Sequence, residues 1–196
     1  IIDDGFQHRK LFRDLDIVIL NETSGGHMLP AGKLREPLKN YKRADLIVMN
    51  NKFETNVLNE NKKNKPQLIC SYVFEAFLNF RSEVHANGQG KNAIVFCGIG
   101  EPRSFKKLLE KHEINIKEFI VYPDHHYFTN KNVNDILHKY KESGSDLILT
   151  TQKDFVRIKN SELVLKSKSE NPYKDILYNY PLYYAKIKMQ ISKNAE

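Results

Sequence analysis

An α/β protein built on parallel sheets is what this sequence predicts, and three observations carry the expectation. Five short, β-branched, apolar runs read as buried strands: DIVIL (16–20), DLIVMN (45–50), AIVFCG (93–98), FIVYP (119–123) and DLILT (146–150). Segments of helical spacing separate the last three of them. Strand, helix, strand, helix, strand is the order that yields parallel neighbours, because a parallel pair needs a crossover.

Each element has its own local reason. Ile1 and Ile2 read as the end of a truncated strand that closes on Asp3-Asp4, while Asp-Gly is equally a common turn dipeptide. After DIVIL comes GGHMLPAGKLREPLKNYKRAD (25–45), a glycine- and proline-shaped loop in which Pro37 starts a short helix just after Arg35-Glu36. NKFETNVLNENKKNKPQ (51–67) is polar, rich in Asn and Lys, and ends on a proline, which marks a boundary between two units. QLICSYVFEAFLNF (67–80) and the HANGQGKN turn (85–92) form two extended runs that make a hairpin linker. In PRSFKKLLEKHE, Phe105, Leu108 and Leu109 share a helical face, with Pro102 in the first turn. In NKNVNDILHKYKESG, Val133, Ile136, Leu137 and Tyr140 do the same, and Gly144 ends the helix. The expected division is 1–54, 55–91 as linker and 92–196 as a second, smaller α/β domain.

Composition bounds the partners. The chain has 196 residues, 40% of them hydrophobic, enough for an ordinary core. No run approaches the ~18 to 20 apolar residues of a membrane span. Cys70 and Cys97 lie on separate apolar runs, so neither a CxxC metal pair nor a disulfide framework can be drawn, and a reducing compartment fits. The net charge of +7 is compatible with anionic partners. Its lysines are scattered, however, and no aromatic–arginine pattern suited to stacking bases is evident, so nucleic acid is not expected.

Ligands of open α/β sheets bind beyond the carboxyl ends of the strands, so the residues after each run matter most. Asp3-Asp4 has the chemistry to hold Mg²⁺ near phosphates, since hard cations favour carboxylate oxygens. Arg35 can grip a phosphate with two parallel hydrogen bonds, and Glu36 serves either a metal or the dipole of the helix it precedes. CGIGEPRSF (97–105) starts like a dinucleotide fingerprint but carries Arg103 in the third glycine position, so it reads as a tight structural turn. In YPDHHYF, Asp124-His125 suits proton handling or metal binding, and in an extended chain the adjacent His126 points the other way. Lys153-Asp154 in TTQKD reads as a helix-start ion pair or a nucleotide contact.

Taken in order, DDGFQHRKLFRDLDIVILN, LPAGKLREPL, KRADLIVMN, FCGIGEPRSF, PDHH and TTQKD resemble the tetraacyldisaccharide 4'-kinase family, the lipid A 4'-kinases, and YYAKIKMQI (183–191) looks like the family's last strand. The resemblance implies ATP- and Mg²⁺-dependent phosphorylation of the 4'-hydroxyl of a tetraacyldisaccharide 1-phosphate at the cytoplasmic face of the bacterial inner membrane. It implies a P-loop-kinase-like core whose Walker B element is Asp3-Asp4, with Glu36 as a further acidic residue at the metal. It places Arg35 beside the phosphates, Gln7 and His8 on the same cofactor side with individual roles open, and Asp124-His125 in support of the catalytic base. The family's phosphate loop, catalytic aspartate and membrane-associating segment precede DDGFQH, and no GxxxxGK[ST] occurs in this chain. The expectation is therefore the carboxyl-terminal part of a longer kinase, incomplete at its N-terminus and inactive alone. Two other classes compete: a metal-dependent phosphoesterase using Asp-His-His with Asp14 or Asp16, and a basic nucleic-acid-binding fragment.

Overall fold

A computed structural model describes residues 1–21, 27–32, 34–52, 67–85, 88–161 and 171–193. The chain divides into two compact units, Ile1–Val73 with Met189–Glu196, and Phe74–Lys188. The division falls inside strands, at Val73/Phe74 and at Lys188/Met189. The polar run expected to mark a boundary lies almost wholly outside the described residues.

In the first unit, β1 (Ile17–Asn21) pairs in parallel with β2 (Leu46–Lys52), Ile17 facing Leu46 and Leu20 facing Met49. β2 in turn pairs in parallel with the start of β3 (Gln67–Leu78). A small core of Leu20, Ile47 and Met49 is flanked by Val18, Leu38 and Tyr41. DIVIL reads as a strand built to be covered, and among the described residues one of its faces is open: Ile17 and Ile19 are exposed while Leu20 is buried. Period-two alternation sends these two isoleucines to the side away from that small core. Ile1 and Ile2 belong to no strand, and Asp3-Asp4 form a turn.

In the second unit, β5 (Asn92–Cys97) pairs in parallel with β6 (Asn115–Val121) on one side and with β7 (Leu147–Thr151) on the other. β7 pairs in parallel with β8 (Leu182–Lys193). β3 turns at Asn79–Ser82 and pairs antiparallel with β4 (Val84–His85), a pairing stitched by the Asn79 carboxamide oxygen accepting from the N–H groups of Arg81 and Glu83. Ala93 to Cys97 are completely buried, which is why AIVFC reads as an unbroken apolar run.

Helices supply the crossovers. α1 (Pro102–Lys111) buries Phe105, Leu108 and Leu109. α2 (Asn130–Ser143) starts on a reciprocal cap between Thr129 and Asn132 and stops where Gly144 takes φ 59, a left-handed turn that glycine enters without steric cost. α3 (Gln152–Lys159) and α4 (Pro172–Tyr178) follow among the described residues. Val133, Ile136, Ile158, Tyr173 and Ile176 pack with Ile94 and Phe96 into the main core.

Candidate functional site

The residues after the strands of the second unit converge because the strands are parallel neighbours. In the order β6, β5, β7, all three carboxyl ends open on one edge, and their loops carry Asp124-His125, Gly98-Gly100 and Thr151-Asp154 respectively. Asp154 is the hub. It is completely buried, and its Oδ2 accepts from the Gly98 N–H at 2.9 Å and the Thr151 hydroxyl at 2.7 Å. Its Oδ1 accepts from Arg157 NH1 at 2.8 Å, and the same NH1 donates to the Gly98 carbonyl at 2.8 Å.

Local sequence explains the arrangement. Thr151 caps α3 by accepting from the Asp154 N–H at 3.1 Å, while the Asp154 carboxylate both accepts from the Thr151 hydroxyl and reaches across to the Gly98 N–H. Gly98 packs closely, since a Cβ there would lie 3.1 Å from His126 Cβ and 3.2 Å from the Pro123 carbonyl, tight enough that its neighbours would have to give way by a few tenths of an ångström. CGIG is thus a close-approach turn.

His125 has φ 59, a left-handed conformation that a non-glycine residue holds only at a cost of order ~1–3 kcal/mol, of the kind that collects at functional sites. Its N–H donates to Asp124 Oδ1 at 2.9 Å, its Nε2 lies 3.9 Å from Asp124 Oδ2, and Arg157 NH2 lies 3.3 Å from its Nδ1. Lys153 Nζ stands 3.6 Å from Asp124. Desolvation is the largest single influence on the Asp124 carboxyl and raises it, but the His125 N–H bond, the Lys153 ammonium and the His125 ring together outweigh it and hold the group below its ordinary range. The two histidines diverge as expected: His126 stacks on Tyr122 at 4.6 Å and pairs Nε2 with Asn132 at 3.0 Å. Beneath the loops, burial, with the Asp154 charge adding to it, pushes the Cys97 thiol up to about 12.

The first unit carries the other residues. Arg13 ties the 3–9 turn down by donating to the carbonyls of Gly5 at 3.0 Å and His8 at 2.7 Å while pairing with Asp16 at 2.7 Å. Asp4, with φ 56, receives Arg35 NH1 at 2.5 Å. Phe6 lies under the Arg43 guanidinium at 4.4 Å. Glu36 accepts from Arg43 at 2.8 and 3.0 Å, from Asn40 at 2.8 Å and from Arg9 at 3.4 Å. Pro37 does open a short 3-10 helix, Leu38–Arg43, but Glu36 reaches forward to its last turn rather than serving its N-terminal dipole.

The structure therefore brings Asp4, Arg35, Glu36 and the 3–9 turn together. Asp3, Gln7 and His8 are exposed on that turn, their side chains unengaged among the described residues. No group of three or more His, Cys, Asp or Glu side chains among the described residues is gathered to hold a metal. Mg²⁺ commonly takes only one or two carboxylates and completes its shell with phosphate oxygens and water, and the hard oxygens of Asp3 and Asp4 fit that pattern. Glu36 is held by Arg43 and Asn40, and Asp4 by Arg35, so either carboxylate would give up a partner to ligate a metal. Sequence reasoning missed Arg157, Arg9 and Arg43. The one readable hint was the spacing of Thr151, Asp154 and Arg157, a cap followed by an i,i+3 ion pair.

A family model described as "LpxK: Tetraacyldisaccharide-1-P 4'-kinase" matches residues 1–196. The chain is similar to the tetraacyldisaccharide 4'-kinase of Syntrophobacter fumaroxidans, 34% identical over 176 residues that cover 81% of this chain and 45% of that protein. It is similar to the tetraacyldisaccharide 4'-kinase of Pelodictyon phaeoclathratiforme, 31% identical over 209 residues, covering all of this chain and 56% of that one. Among solved structures it resembles LpxK from Aquifex aeolicus, crystallised as an "apo" form in complex with ATP, with a TM-score of 0.60, 28% identity, and coverage of 96% of this chain and 52% of that chain. The chain spans about half the length of the relatives it matches.

Proposed function

The chain belongs to the tetraacyldisaccharide-1-P 4'-kinase family, and from that premise we propose that its residues form part of a lipid kinase. The reaction is transfer of the γ-phosphoryl group of ATP to the 4'-hydroxyl of a tetraacylated glucosamine disaccharide 1-phosphate, at the cytoplasmic face of the inner membrane. The observation that carries this reading is the family match over all 196 residues. The site geometry supports it, since the carboxylate of Asp4, next to Asp3 in the chain, pairs with an arginine suited to phosphate, Arg35.

In this reading Asp3 and Asp4 would hold Mg²⁺, which when bound neutralises charge on the β- and γ-phosphates. Arg35 exchanges its carboxylate partner for a phosphate oxygen, an exchange open to it because both it and Asp4 are more than half exposed. Glu36 keeps Arg43 and Arg9 aligned with the turn that carries Gln7 and His8. Asp124 and His125 support the base that takes the proton of the acceptor hydroxyl. No GxxxxGK[ST] occurs in residues 1–196, so these residues supply the cation and acceptor side of the reaction, not the phosphate cradle.

The test is label transfer from γ-phosphate-labelled ATP to the disaccharide lipid by the full-length protein. Asp3→Ala and Asp4→Ala should each abolish most of the Mg²⁺-dependent turnover. His125→Ala should lower kcat far more than it weakens ATP binding. Unchanged turnover in all three variants would remove these residues from the reaction.

A further inference from the structure

Arg157 is unused by the reaction as described, and the sequence motifs did not single it out. Its guanidinium has three partners of different kinds. NH1 donates to the Gly98 carbonyl and to the buried Asp154 carboxylate, both at 2.8 Å, which anchors it to β5 and α3 together. Those two bonds account for a structural role completely. NH2 makes a third approach, to His125 Nδ1 at 3.3 Å, and that one holds together nothing but an exposed ring on a strained backbone.

A guanidinium has N–H donors and no acceptor, and it does not lose its charge in a protein. Nδ1 must therefore present a lone pair to NH2, and the proton of the neutral ring must sit on Nε2. Nε2 lies 3.9 Å from Asp124 Oδ2, beyond hydrogen-bonding distance, so its N–H is available to an outside oxygen. We propose that Arg157, anchored by Asp154, is a positioning residue that holds the His125 ring in its Nε2–H tautomer, ready to donate to a carboxylate or phosphate oxygen of the reacting complex. This rests on His125 supporting the reaction as read above, though the tautomer itself does not depend on that reading.

The anchor is built to be rigid. Asp154 is completely buried and receives Gly98 N–H, the Thr151 hydroxyl and Arg157 at once, so its orientation, and that of Arg157, is fixed from three directions. Outer partners of this kind typically set ring orientation and tautomer, and losing one typically costs on the order of ten- to a hundred-fold in function.

The test uses two readouts on the full-length kinase. Imidazole nitrogen NMR, with the His125 signal identified by its loss in His125→Ala, should show the Nε2–H pattern alone in the parent and a mixture of tautomers in Arg157→Met. Kinetically, Arg157→Met should lower kcat about ten-fold or more with little change in KM for ATP. In the His125→Ala background the same substitution should lower it no further, because residues acting through one another are not additive. Arg157→Lys keeps the charge but has no fork to serve three partners, so it should rescue folding and not turnover; it also stands in if Arg157→Met fails to fold. An unchanged nitrogen spectrum in a folded Arg157 variant, or a full additional loss on top of His125→Ala, overturns the proposal. A normal kcat in His125→Ala would sink the role of His125 instead, while the spectrum still decides whether Arg157 sets the tautomer.

Discussion

Replacing Asp154 by alanine is the perturbation whose size follows most directly from the structure. The substitution strips a buried acceptor from the Gly98 N–H, the Thr151 hydroxyl and Arg157. An orphaned buried N–H costs ~1–3 kcal/mol. Breaking a fully buried ion pair costs ~3–5 kcal/mol, but Arg157 is a fifth exposed and keeps its bond to the Gly98 carbonyl, so water repairs part of that loss. The Thr151 cap survives, because it receives the backbone N–H of residue 154 and not its side chain. The sum is about 3 kcal/mol, or about 6–12 °C in Tm for a domain of this size. Urea unfolding followed by circular dichroism measures it, with Asp154→Asn as the milder companion that retains one acceptor oxygen but turns an amide donor on Arg157. A destabilisation of Asp154→Ala below about 0.5 kcal/mol, the range of ordinary surface changes, would refute the claim that this carboxylate ties β5 to α3.

Two further outcomes are expected. The Asp124 carboxyl should titrate below its ordinary 3.8, and Lys153→Ala should move the midpoint back up. A depressed folded-state value stabilises the fold above the unfolded pKa, and that contribution fades as pH falls through the folded one; carbonyl NMR of Asp124 reads the midpoint, and a value at or above 3.8 contradicts the Lys153 and His125 contacts. The Cys97 thiol, pushed up to about 12 by burial, should resist a disulfide-exchange reagent at pH 8 and react once the protein is unfolded in urea. Fast labelling of the native protein would show that the floor of the Gly98 loop is open.

Much of this architecture was legible because the second unit obeys simple periodicities. AIVFC is buried at every position and reads as a strand between parallel neighbours, and the Val133, Ile136, Leu137 face of α2 is the buried one. The length of β6 was not legible, because the consecutive polar pair Lys117-Glu118 breaks the alternation ahead of FIV, where the pairing with β5 also shifts register. In the first unit the apolar character of DIVIL promised more cover than Ile17 and Ile19 receive. For the site, residue type and position after a strand were enough to bring Asp3, Asp4, Arg35, Glu36, Asp124 and His125 to attention. The contacts between them were hidden, since Glu36 meeting Arg9, Arg43 and Asn40 and Arg157 meeting Gly98 and His125 depend on which loops the strand order makes neighbours. Spacing along the chain holds no record of that.

Phosphorus NMR of the lipid after incubation with full-length protein, ATP and Mg²⁺ identifies the bond that is formed. A disaccharide entering with a single phosphomonoester at its 1-position should leave with a second one at the 4'-oxygen, in step with the appearance of ADP. A lipid spectrum that stays unchanged while ATP is consumed, or one in which a phosphate ester is cleaved instead of made, would contradict the kinase reading.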